Sequence, residues 1–463
     1  MAFHWRARFF RAGLVPRLVL ALAVLVPVFS STRPAPEGAS ARFLNAEEAT
    51  PDSIPGNAAS APGLERGRHL EHLGAQRWHD AGYLGQGVKI AILDTGFQGY
   101  KKFLGLALPE LVQIRSFRRD GNAEAKGSQH GILCAEVVHA LAPGAELLLA
   151  NWEPDDPASF LDAVRWARQA GARVITCSLI MPSWSDGEGG GPVHAALEKL
   201  LGTGKAPGDI LFFASAGNTA QRHWAGAFCP DQSGYHQWAL KLKDNPLRPW
   251  GNERVAVELY GPSATPYNLA VIDTDSQAVV GQATMNRGFT GPGSLKTSSA
   301  EKGGCAVVRF LPNPEHTYSV RVQAPDRGQH AKDKFHLVAL GGYLDRATRA
   351  GSIPFPADGA RIQAVGAVDS VGKRLFYSSC GPNSCLPKPD FVATVPFASQ
   401  CRERAFAGTS AAAPQAAALA ALWCGRHPDW TVDQVTSAMR QSARDLGPPG
   451  HDSETGYGLI HLP

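Results

Sequence analysis

The sequence predicts an α/β fold: a mostly parallel sheet with helices on both faces, interrupted by an inserted antiparallel β-sandwich or jelly-roll domain. Two observations predict it. Towards both ends of the 463-residue chain, short apolar runs bounded by turn residues alternate with segments of helical period, and that alternation builds parallel sheets. Between 228 and 345 the helical period is lost and short β-type runs succeed one another, as in a sandwich or jelly roll.

In chain order, residues 1–41 read as a signal peptide and its cleavage region. Arg6, Arg8, Arg11 and Arg17 precede an apolar run over 18–29, LVLALAVLVPVF. A basic start, an apolar run and then small residues fit an export signal, cut after Ser31 or within Ala39–Ala41. The run falls short of the roughly 20 residues of a membrane span, so no stable span is expected; retention as an uncleaved anchor is the alternative. Residues 42–66, rich in Pro, Ala, Gly, Ser and Glu, read as a linker.

The first α/β part covers 67–227. Its buried strands are VKIAIL (88–93), ELLLA (146–150), RVITCSL (173–179) and DILFFAS (209–215), with helices at SFLDAVRWARQAG and PVHAALEKLLG. The insert, 228–345, strings together WALKL, VAVELY, YNLAVI, CAVVRFL, TYSVRVQ and FHLVAL. The second α/β part, 346–463, holds IQAVGAV (362–368), FVATV (391–395), an alanine-rich helix after Ser410, and a last helix capped by Thr431.

The formal net charge is +4. Arginines of the leader supply that excess, so the mature chain is near neutral and nucleic acid is not an expected partner. With 44% apolar and 19% charged residues, the chain is globular rather than disordered. Eight cysteines, an even number, fit an exported protein. Cys380, Cys385 and Cys401 lie in loop-like sequence and are expected to be bridged, whereas Cys134 and Cys177 sit in apolar runs as small buried residues. No cysteine pair has zinc spacing, and no metal site is expected for catalysis.

Four stretches place chemistry-bearing residues where a sheet protein exposes side chains. Asp94 follows a buried strand in ILDTG, at the strand's carboxyl end. His130 opens a helix in SQHGILCAEVVHAL, and Asn218 follows another strand in FFASAGNTA. Ser410 starts the alanine-rich helix in FAGTSAAAPQ. Singly, each fits a turn or cap residue as well as a functional one. His139 and His223 are weaker candidates for a base.

Together, in this order, the stretches resemble the subtilisin-like serine proteases (subtilases), as do VITCSL, FYSSCGPN with KPDFVAT, and GYGLI near the end. The matching blocks span 67–227 and 358–460 and leave the insert out. The resemblance implies a serine endopeptidase acting on protein or peptide substrates, with no cofactor for catalysis. It implies Asp94, His130 and Ser410 as a catalytic triad, with Asn218 and the Ser410 backbone N–H as oxyanion hole. It also places Ser178, Leu179, Ile180 and Gly217 at the substrate.

Calcium often supports the fold in this family, but no acidic loop here is dense enough to name its ligands. Where the family usually has Ser-Leu-Gly-Gly, this chain has Ser178-Leu179-Ile180-Met181, which narrows specificity or displaces that wall of the cleft. The stretch between the expected cleavage site and the helix before Asp94 is too short for the folded propeptide domain many such proteins use. With a leader, the product is secreted or periplasmic. The rival expectation is a catalytically silent subtilase scaffold that binds protein or glycan through the inserted β domain.

Overall fold

The computed structural model describes residues 62–125, 128–263, 265–287, 303–326, 330, 333–384 and 386–463. The leader, the apolar run at 18–29, nearly all of the linker and Cys385 lie outside the described residues.

From the first described residue, α1 (Pro62–His72) and α2 (Ala75–Asp80) lead into β1 (Lys89–Leu93). Then come β2 (Val112–Phe117), α3 (His130–Leu141), β3 (Glu146–Trp152), α4 (Pro157–Gln169), β4 (Val174–Cys177), α5 (Pro192–Leu201) and β5 (Leu211–Ser215). The insert holds β6 (His223–Ala227), β7 (Asn245–Pro249), β8 (Val255–Gly261), β9 (Asn268–Asp273) and β10 (Val279–Thr284). It continues with β11 (Asn286–Arg287), β12 (Gly304–Phe310), β13 (Tyr318–Gln323), β14 (Lys334–Leu340) and β15 (Gly342–Leu344). The chain closes with β16 (Ile362–Val368), β17 (Phe391–Thr394), α6 (Thr409–Arg426) and α7 (Val432–Ser442).

Seven strands form one parallel sheet in the order β17-β16-β5-β4-β1-β3-β2. Its central strands are buried on both faces, which is why they read as unbroken apolar runs. Successive side chains feed two cores. Ile90 and Ile92 join α3, α6 and α7 on one face, while Ala91 and Leu93 join α4 and α5 on the other. α6 is buried from Thr409 to Cys424, so its small residues place it at the centre of the fold.

Three features differ from the sequence expectation. β2 is an edge strand that alternates half-buried and exposed residues, so it lacked the apolar run that marked the others. α1 starts at Pro62, inside the expected linker, because it has a partner: His69 Nε2 and Gln415 Oε1 on α6 are 2.7 Å apart. The insert begins with β6 at His223 rather than at 228, since this strand pairs antiparallel with β14.

The insert is a sandwich of two five-stranded antiparallel sheets, β10-β9-β13-β7-β15 and β11-β12-β8-β14-β6. Their inner faces share one core around Val257, Leu259, Val271, Val320 and Phe335. WALKL is a turn rather than a strand: Leu240 is 90% exposed and Lys241 has φ 60°. Among the described residues the expected bridging of cysteines is not seen; the third of them, Cys385, lies outside those residues. Cys380 and Cys401 carry free thiols, each lodged in its own surroundings: Cys380 Sγ donates to Arg349 O, and Cys401 lies against Glu136. No helix among the described residues is long and apolar enough to cross a membrane.

Candidate active site

β5, β4 and β1 are neighbours in the sheet, and their ends are level: Leu93 pairs with Cys177, and Cys177 with Ala214. The chain leaving them carries Asn218, Ser178 and Asp94. Two helices then start over the same edge of the sheet, α3 with His130 and α6 with Ser410. Residues from five elements, separated widely in sequence, therefore converge at the carboxyl ends of the strands, where open α/β sheets hold ligands.

The Asp94 carboxylate is fixed first. Its Oδ1 accepts from the Thr95 backbone N–H at 2.8 Å, and its Oδ2 lies 2.7 Å from His130 Nδ1. Nδ1–H is thereby the donor, leaving Nε2 as the basic nitrogen, and Nε2 has no hydrogen-bond partner. The ring is held from the side by Phe406, edge-on at 5.5 Å. Burial works most strongly against protonating His130, but the adjacent Asp94 carboxylate and Cys134 together outweigh it and hold the imidazole well above its ordinary value of 6.5.

The start of α6 is set by Gly408, whose φ of 79° favours glycine. Pro414 has no N–H to give the carbonyl four residues back, that of Ser410. Ser178 Oγ donates to that carbonyl instead, at 2.9 Å, and Ser410 Oγ donates to Ser178 O at 3.2 Å. Ser410 and the segment leaving β4 are thus tied twice.

Asn218 is oriented by Thr409. Both the backbone N–H and Oγ1 of Thr409 donate to Asn218 Oδ1, at 3.1 and 2.9 Å. This commits the amide's oxygen and leaves Nδ2 as a buried donor with no acceptor. Gly217 precedes it with φ 92°, and its carbonyl accepts from Ser379 N at 2.8 Å. Asp94 and Ser410 are fully buried, and His130 and Asn218 are 2% exposed.

Residues 85–458 match the family model described as the subtilase family. The chain belongs to the subtilase family. Among curated relatives, the thermostable alkaline protease of Halalkalibacterium halodurans is 33% identical over 27% of this chain and 33% of its own length. Subtilisin BL of Lederbergia lenta is 26% identical over 45% of this chain and 71% of its own. This subtilase therefore matches only about a third of the first relative's length. The solved CspB protease of Clostridium perfringens superposes with a TM-score of 0.60, covering 87% of this chain and 98% of that one at 14% identity. That likeness concerns the fold.

Two residues of this subtilase differ from their sequence reading. Leu179, expected at the substrate, packs into the α4–α5 core. Cys134 is buried as expected but also touches the site: its Sγ lies 3.7 Å from Asp94 Oδ2 and 4.0 Å from His130 Nδ1. The available signal was its spacing, four residues after His130 and so on the same helix face. Burial pushes its thiol up, which keeps it protonated and a poor nucleophile.

Asp94, His130 and Cys134 hold their donor atoms within 4.8 Å of one another, the one such trio among the described residues. It would suit a soft cation rather than calcium, and only by taking Nδ1 from Asp94. His223 is excluded as a base. It is buried between Thr348 O and His336 Nδ1, and burial pushes it down to about 3.

Proposed function

We propose that this subtilase is an exported serine endopeptidase that hydrolyses peptide bonds through an acyl-enzyme on Ser410. The observation that carries the proposal is the buried Nδ2 of Asn218, which has no acceptor beside the first turn of α6. Leaving such a donor unmet costs about 1–3 kcal/mol, and an acceptor bound there recovers the cost, most of all one on which negative charge develops. Ser410's own N–H lies in the turn where a helix offers no internal acceptor, so two donors converge.

Ser410 turns its hydroxyl from Ser178 O to His130 Nε2 and attacks the substrate carbonyl as Nε2 takes the proton. Asp94 stabilises the imidazolium. Collapse of the tetrahedral intermediate expels the amine, protonated by His130, and water then cleaves the ester by the same route. Nucleophile, base and oxyanion donors all belong to the chain, so catalysis needs no cofactor. The basic, apolar leader supports export. The silent-scaffold reading draws on the burial of the site, but a scaffold has no use for keeping the Asp94–His130 pair, Ser410 and the Asn218 donor together.

The purified protein is expected to degrade unfolded protein substrates, with loss of activity on treatment with a sulfonyl fluoride; no hydrolysis of any protein would remove the proposal. Two further results follow from the geometry. Asn218→Ala should lower kcat by about 10²–10³ with little change in KM, the size found for the matching donor in subtilisin; a fall confined to KM contradicts the oxyanion role. The base works only when neutral, and His130 sits above 6.5. Thus kcat/KM should climb as pH rises through the neutral-to-alkaline range. A profile flat down to about pH 5.5 argues against His130 as base.

A further inference from the structure

We infer that Ile180 closes the side-chain slot beside Ser410, so that this chain cleaves after glycine, alanine or serine and rejects aromatic and long aliphatic residues. The inference rests on Ser410 being the nucleophile.

The carbonyl under attack lies between Ser410 Oγ and the Asn218 donor. The side chain on the adjoining α-carbon must therefore enter the space between the chain leaving β4 and the chain leaving β5, two neighbouring strands. Ser178 O, 3.2 Å from Ser410 Oγ, marks one wall, and Gly217 marks the other. The Gly217 wall has no depth behind it: a Cβ there would stand 3.0 Å from Pro354 Cδ. The far end is stitched shut, because the Met181 N–H donates to Phe355 O at 3.0 Å.

Ile180 fills what remains. Leu179 and Met181 pack into the core with α4 and α5. They share that core with Ile175 and Cys177 of β4, so the strand's alternation carries on past its end and turns Ile180 to the side that Ser178 shares with Ser410, and there it is only 5% exposed. A β-branched side chain has little χ1 freedom with which to swing aside.

The wall is also anchored. The 3-10 turn that follows, Pro182–Trp184, is fastened to the insert by the Ser183 N–H donating to Glu258 Oε2 at 3.1 Å, with Glu258 buried on β8. The bulk at 180 and 181 therefore narrows the cleft, and the inserted domain keeps the wall from moving outward.

The test is a set of peptide anilides that differ only in the residue before the scissile bond. The full-length protein should cleave the alanine substrate at least about 50-fold faster, in kcat/KM, than the phenylalanine one. Ile180→Gly should raise the phenylalanine-to-alanine ratio of kcat/KM at least about tenfold. Ile180→Ala, a milder change in the chain's flexibility, should fall between. Turnover with equal rates for alanine and phenylalanine, or ratios unmoved in both variants, overturns this inference alone. Absence of all turnover together with an unlabelled Ser410 overturns the nucleophile assignment and this inference with it.

Discussion

Replacing Ser410 with alanine is expected to lower kcat by about 10⁶ while KM and the folded structure stay close to wild type. The magnitude is the one found for the corresponding serine of subtilisin. It reflects a unit in which base and nucleophile fail together. The structural cost is small because the hydroxyl makes one hydrogen bond, to Ser178 O at 3.2 Å, worth about 1 kcal/mol. The reciprocal bond, Ser178 Oγ to Ser410 O, survives in the variant, and α6 already carries alanine at the three positions after 410. A fall in kcat of less than about tenfold, in a variant that melts normally, would mean another group attacks the substrate.

Asp94→Asn is expected to cost about 10⁴ in kcat. Asp94 accepts from His130 Nδ1 and is itself held by the Thr95 N–H. An asparagine can turn its amide N–H towards Nδ1, which selects the wrong tautomer and leaves Nε2 protonated and useless as a base. The pH profile supplies the sign check. The Asp94 carboxylate is the larger of the two groups, with Cys134, that raise His130 against burial, so residual activity in the variant should have its acid limb at lower pH. A variant with full activity and an unshifted limb would show that Asp94 does not act through His130.

The α/β frame was legible where burial makes a strand apolar on both faces. IQAVGAV is β16 residue for residue, and KIAIL is β1. β2 was missed because an edge strand exposes alternate side chains and so resembles a polar loop. α1 was hidden because its stability comes from a tertiary contact, His69 with Gln415, that no local pattern announces. At the site, Asp94, His130, Asn218 and Ser410 stand at strand and helix ends, and their expected roles came from the resemblance of the four stretches, in order, to the subtilases.

What the sequence could not reveal is how they are held. The carbonyl freed by Pro414 and the amide of Asn218 fixed by Thr409 exist only once the chain has folded. The role of Cys134 lay in the same gap: its spacing from His130 was visible, but its approach to Asp94 depended on the packing of α3 against β1. The inserted sandwich was legible as a β domain, yet its hold on the substrate wall through Glu258 was not.

The central claim is that Ser410 is an activated nucleophile, and covalent labelling tests it most directly. Wild-type protein and Ser410→Ala would be incubated with a small fluorophosphonate, digested, and mapped by mass spectrometry. One phosphonyl group per wild-type chain, located on Ser410 and absent from the variant, is the result expected. An unlabelled wild type, or equal labelling of both proteins at another residue, would contradict it.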